Sequence, residues 1–109
     1  MVKYAQTETT VYIVCSDSTS VKNYLTNAAV PLTNITYVIA PYNSVWARDY
    51  GQWNAYTNDV DSLLMIDWIY NRPRPKDDTV PSAIAQLTGL PLYATTVAPN
   101  DLVHTGGNF

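Results

Sequence analysis

Two patterns of apolar residues take turns along this chain: short unbroken apolar runs, and stretches in which apolar residues return every third or fourth position. Thr10 to Cys15 is an unbroken run rich in β-branched residues and predicts a buried strand. After it, Val21, Tyr24, Leu25 and Ala28 share one helical face, with Ser18, Thr19 or Ser20 as the expected cap and Pro31 as the expected stop. Ile35 to Ala40 predicts a second strand, which Pro41 ends and which leads into a loop from Asn43 to Gly51.

Gln52–Tyr56 and Leu63–Tyr70 predict an antiparallel pair, because the polar stretch Thr57 to Asp61 has the length of a hairpin connection. The prolines of Asn71-Arg72-Pro73-Arg74-Pro75 resist helix formation and place both arginines in a loop at the end of the second strand. Thr79 is the expected cap of another helix, with Val80, Ala83, Ile84 and Leu87 on one face and Gly89 as its stop. Pro91 to Ala98 reads as a last strand, and Thr105 to Phe109 as the opening of an element that the chain does not finish. Strand, helix, strand, hairpin, helix, strand is a mixed α/β order with no internal repeat.

Composition narrows this picture. With 109 residues, 47% of them hydrophobic, one domain with a modest core is expected. A net charge of -3 and six basic residues argue against a nucleic-acid partner. The apolar runs fall far short of the roughly 20 residues that span a bilayer, so no membrane role is expected. One cysteine allows no intrachain disulfide, and one histidine with scattered carboxylates offers no metal-ligand spacing. Met1 to Gln6 lacks a cationic stretch followed by an apolar one, which fits a cytoplasmic start or a chain trimmed of its leader.

All three arginines fall between Asn43 and Asp78. Arg presents a rigid fork of donors suited to carboxylates and phosphates, whereas a carboxylate such as Asp49 beside the indole of Trp46 suits a planar cation. On residues alone, Asp49 reads first as a loop aspartate paired with Arg48 or capping a turn. Arg72 and Arg74, two apart in an extended segment, point to one face and suit an anionic ligand. Their alternative is a solvated basic loop opposed by Asp77 and Asp78.

The strings Trp46-Ala47-Arg48-Asp49-Tyr50-Gly51 and Asp67-Trp68-Ile69-Tyr70-Asn71-Arg72-Pro73-Arg74-Pro75-Lys76-Asp77-Asp78, with Thr105-Gly106-Gly107-Asn108 and upstream Pro41, Asn43 and Ser44, resemble the Porphyromonas-type bacterial peptidylarginine deiminases. These are relatives of the agmatine deiminases in the guanidine-modifying superfamily. The resemblance implies a five-bladed α/β propeller (pentein) of ββαβ units, of which residues 1–109 supply about one and a half to two blades, an amino-terminal piece of a catalytic domain. It also implies hydrolysis of C-terminal peptidyl arginine to citrulline and ammonia without a cofactor, in a secreted or cell-envelope enzyme. Asp49 falls on the family's guanidinium-binding aspartate and Trp46 on the tryptophan lining that pocket. Arg72 and Arg74 fall on the arginines that bind the substrate's α-carboxylate, a group that agmatine lacks.

The family's chemistry uses a cysteine thiolate and a His-x-Asp motif. Cys15 lies in an amino-terminal strand, far from the family's nucleophile position, and reads as a buried structural thiol. His104 has Gly106 at the second position after it and reads as a surface or strand-edge residue, while Gly106 and Gly107 read as close-packing glycines. The expected partners are therefore a guanidine substrate and the remainder of the catalytic domain, with self-association of the isolated piece through uncovered edges. The alternatives are an agmatine or free-arginine deiminase and a non-catalytic arginine-binding domain.

Overall fold

In the computed structural model, which describes residues 1–108, the chain divides into two units, Met1 to Ala40 and Pro41 onward. The first contains α1 (Val2–Ala5), β1 (Val11–Cys15), α2 (Ser18–Asn27) and β2 (Ile35–Ile39). β1 and β2 pair in parallel, from Val11 opposite Ile35 to Cys15 opposite Ile39, and α2 is the crossover that a parallel pair requires. Cys15, Leu25, Val38 and Ala40 are buried.

Both ends of α2 differ from the sequence expectation. Asp17, not Ser18, Thr19 or Ser20, is the cap: its carboxylate accepts from the N–H groups of Thr19 (2.9 Å) and Ser20 (3.0 Å) and from the Ser20 hydroxyl. Those bonds lower its pKa to about 2, the Ser20 hydroxyl contributing most. The helix ends before Pro31 is reached. Ala29 adopts a φ of 53°, and the N–H groups of Ala29 and Val30 return to the carbonyls of Thr26 and Leu25, closing the last turn. Of the expected apolar face, Leu25 is buried and Val21 half-buried, while Ala28 is exposed and Tyr24 is 75% exposed. The four-residue α1 has too little periodicity to read from sequence.

The second unit contains α3 (Ala47–Tyr50), β3 (Trp53–Tyr56), β4 (Leu63–Trp68), α4 (Val80–Thr88) and β5 (Leu92–Thr95). The hairpin is as expected, with Trp53 opposite Ile66 and Tyr56 opposite Leu63. β5 adds to the other side of β4 in parallel through α4, so the unit has ββαβ order in a three-stranded sheet β3-β4-β5. Met65, Trp68, Val80, Pro81, Tyr50 and Tyr70 are buried.

Three expectations are corrected here. Ala47 to Tyr50, expected in a loop, forms a helical turn, with the Tyr50 and Gly51 N–H groups returning to the carbonyls of Trp46 and Ala47. Thr79 precedes α4 but makes no side-chain cap; its hydroxyl donates to the Lys76 carbonyl (2.8 Å) within a 3-10 turn at Asp77–Thr79. The last strand stops at Thr95 rather than Ala98. Gly89 does stop α4, at a φ of 71° that favours glycine. A 3-10 turn at Gly106–Asn108 follows; Phe109, expected to belong to this element, lies outside the described residues.

Candidate functional site

The two strings that stand out in the sequence meet in the second unit. Trp46 sits at the start of α3 and is 58% exposed, while Asp49, within the same turn, is half-buried. The Asp49 N–H donates to the Trp46 carbonyl at 2.8 Å, which closes the backbone turn between the two residues. Behind Asp49 lies the Gly106–Gly107 turn. A Cβ on Gly107 would collide with Asp49 Oδ1, and one on Gly106 with the Arg48 carbonyl and Trp68 Cζ2. The glycines are thus close-packing residues, and what Gly107 packs against is the Asp49 carboxylate itself.

A fully buried Asp77, with 0% of its surface exposed, joins this turn to the arginine loop. Its Oδ1 accepts from the N–H groups of Asn43 (2.6 Å) and Ser44 (3.1 Å), and its Oδ2 accepts from the Ser44 hydroxyl (2.7 Å). Asn43 Oδ1 in return accepts from the Lys76 N–H at 2.9 Å. Ser44 passes these restraints to α3, because its carbonyl accepts from the Tyr50 hydroxyl (3.1 Å) and its Oγ lies 3.5 Å from the Trp46 nitrogen. Burial and the Asp77 charge raise the Tyr50 pKa, so that hydroxyl keeps its proton as a donor.

Arg72 and Arg74 differ in setting. Arg74 is half-buried: its Nη2 donates to the Tyr70 hydroxyl (2.7 Å), its guanidinium carbon lies 5.4 Å from the Tyr70 ring centroid, and its Nε is 4.0 Å from Asp77 Oδ2. Arg72 is exposed. Asp77, which the sequence presents as one half of a solvated counter-charge, is instead the buried centre of the cluster. The cue available in the sequence is Asn43-Ser44, a pair that favours turns with side-chain-to-backbone bonds.

Of the two residues weighed for the chemical step, Cys15 is not equipped for it. Cys15 is buried in β1, and its pKa is raised by that burial and by Asp17, the reverse of an activated thiolate. His104, expected at the surface or a strand edge, follows the Ile69–Val103 bridge, donates its N–H to the Ile69 carbonyl (3.2 Å) and is half-buried with its ring edge-on to Trp53 (4.9 Å between centroids) and Trp68 (5.8 Å). Trp53 and Trp68 are themselves 4.6 Å apart, so the three rings form an aromatic cluster under the sheet's end. Asp67 is buried, which together with the Asp78 charge pushes its pKa up to about 6. A cavity of about 310 Å³ flanks α3, lined by Ala47, Arg48, Gly51, Gln52, Trp53 and Gly106, and does not include Trp46 or Asp49. Among the described residues no cluster of three His, Cys, Asp or Glu side chains is placed to hold a metal, and no helix is long and apolar enough to cross a membrane.

The fold is shared with solved structures of agmatine deiminases. The chain superimposes on agmatine deiminase of Enterococcus faecalis with a TM-score of 0.73 at 25% identity, covering 99% of this chain and 30% of that one. The C. jejuni agmatine deiminase gives 0.75 at 20% identity, covering 97% and 29%. A C. jejuni cysteine-to-serine variant with substrate bound gives 0.76 at 18%, covering 97% and 30%. The chain therefore spans about 30% of the length of these relatives. Its sequence matches the Porphyromonas-type peptidyl-arginine deiminase family from residue 1 to residue 109, and the chain belongs to that family of guanidine-modifying, amidine-hydrolysing deiminases.

Proposed function

We propose that this chain is the substrate-recognition part of a hydrolase that converts C-terminal peptidyl arginine to citrulline and ammonia. Asp49 receives the guanidinium through paired charge-assisted hydrogen bonds, and Trp46 covers its planar face. Arg72 and Arg74 receive the α-carboxylate. The thiolate that attacks the guanidinium carbon, and the groups that protonate leaving ammonia and activate water, come from other parts of the enzyme, because Cys15 and His104 are engaged in packing. The ββαβ unit stands as one blade of a five-bladed propeller and the β1-α2-β2 unit as part of another. A secreted or cell-envelope location belongs to the same reading.

One observation carries it: the turn bearing Trp46 and Asp49 and the loop bearing Arg72 and Arg74 are hydrogen-bonded into one cluster. A carboxylate with an exposed indole, tied to a pair of cations, complements a ligand that is cationic at one end and anionic at the other. A second reading, hydrolysis of agmatine, is favoured by the agmatine deiminases that share the fold. Peptidyl-citrulline formation by the full-length enzyme from a peptide ending in arginine, measured beside formation from its α-amide and ureide formation from agmatine, separates the two. A marked preference for the free carboxylate supports the peptidyl reading, and a preference for agmatine overturns it.

A further inference from the structure

We infer that Asp77 is a positioning residue that fixes the span between the guanidinium-binding turn and the carboxylate-reading loop, and so sets the length of guanidine substrate the enzyme accepts. The inference rests on the function proposed above and adds a determinant of specificity to it. Asp77 itself is fully buried and meets no ligand.

The geometry is that of a two-sided bracket. Toward the turn, both carboxylate oxygens are used: Oδ1 by the Asn43 and Ser44 N–H groups, Oδ2 by the Ser44 hydroxyl. Ser44 is tied in turn to α3 at both of its ends, through Trp46 and the Tyr50 hydroxyl. Toward the loop, the Asp77 N–H donates to the Arg74 carbonyl at 3.1 Å, Oδ2 faces Arg74 Nε, and Lys76 is held by Asn43. Edge-on packing of Tyr50 and Tyr70, with centroids 6.0 Å apart, runs alongside. Two backbone donors and a hydroxyl thus lock two segments that differ by more than thirty positions, and a fully buried carboxylate that lost them has no water to turn to. A substrate gripped at both ends feels an error in that span directly, because catalysis tolerates little misplacement of the reacting carbon.

The test uses full-length enzyme with three peptides that differ only in the last residue: arginine, homoarginine, which is one methylene longer, and α-amidated arginine. Wild type should prefer arginine to homoarginine. Asp77→Ala should lower kcat/KM for arginine by about ten- to a hundredfold and shrink the arginine-to-homoarginine ratio, since charge-assisted bonds are lost. Asp77→Asn keeps an acceptor for the two backbone N–H groups and should retain most of the ratio. Ser44→Ala, which removes the hydroxyl links alone, should shrink the ratio about two- to tenfold and decides the matter if Asp77→Ala does not fold. An unchanged ratio in a folded Asp77→Ala, or in Ser44→Ala, overturns the inference, because a residue that served stability alone would lower the melting temperature and leave discrimination intact. Amide hydrogen exchange at Asn43 and Ser44 reads the bracket without any substrate. If wild type acts on none of the peptides, the proposed function fails, and the bracket stands if exchange accelerates in the Asp77 or Ser44 variants and falls if it does not.

Discussion

Arg74 gives its Nη2 proton to the Tyr70 hydroxyl at 2.7 Å and rests over the same ring, whereas Arg72, two residues earlier, is held out in solvent. Two arginines that look equivalent in sequence therefore carry different loads. Arg74→Ala should lower stability by about 1–2 kcal/mol, from the lost hydrogen bond and ring contact, and also weaken carboxylate recognition. Arg72→Ala should leave stability within about 0.5 kcal/mol of wild type while lowering kcat/KM on peptides with a free carboxylate more than on their α-amides. Thermal unfolding beside paired kinetics of full-length variants checks both, and equal losses on acid and amide would remove Arg72 from carboxylate recognition.

Asp49→Asn should nearly abolish turnover by the full-length enzyme, since the amide carries no charge and turns a donor toward a ligand that offers only donors. Trp46→Ala should be milder. Gly107→Ala should resemble Asp49→Asn in kinetics although it alters no functional group, because the added Cβ displaces the Asp49 carboxylate. Normal turnover in Gly107→Ala would mean that the carboxylate position seen here is not the one used.

Asp67 makes stability depend on pH in a particular direction. Its folded pKa of about 6 lies above the ordinary value of 3.8, so the folded state holds the proton more tightly than the unfolded chain does. The penalty for ionising it is absent below about pH 4, grows between the two values and is complete above about pH 6, at a cost on the order of 3 kcal/mol. Asp67→Asn should therefore raise the melting temperature at pH 7 and lose that advantage near pH 4. A gain that is equal at both pH values would show that Asp67 is not strained by its charge.

The 109-residue chain by itself should show no deiminase activity, and Cys15→Ser should change nothing in that result. Citrulline assay on a peptide ending in arginine is the measurement, and activity abolished by Cys15→Ser would contradict it. The same chain should self-associate, since Tyr12, Tyr24 and Ile39 are exposed in a unit with only two strands. Light scattering across a concentration series that finds a monomer throughout would refute this.

Much of the architecture was legible because the signals were local. The run at Val11–Cys15, the hairpin length between Tyr56 and Leu63, and Gly89 at a left-handed position each announce themselves within a few residues. The helical turn at Ala47–Tyr50 did not, because one turn is too short for periodicity and the Ser44 carbonyl that accepts from the Tyr50 hydroxyl belongs to a residue held by distant Asp77. Asp17 was hidden by three good capping residues directly after it. Asp77 was hidden for a different reason: its role depends on Asn43 and Ser44, and charge runs read as solvated until their distant partners are known. His104 likewise takes its burial from Trp53 and Trp68, which no window around it contains.

The bonds from Asp77 to Asn43 and Ser44 close a loop spanning 34 and 33 positions. No local stretch of the unfolded chain can reproduce them, since the ends of such a loop meet only at an entropic cost. Under the proposed function, recognition and integrity of the second unit are consequently one equilibrium. A guanidine ligand that requires this geometry binds the closed form alone and so protects the unit from proteases and heat, by about 2.7 kcal/mol at a hundred times its Kd. Conversely, any lesion that lets the loop breathe weakens the ligand by the fraction of time the loop stands open, even where every contacting side chain is intact.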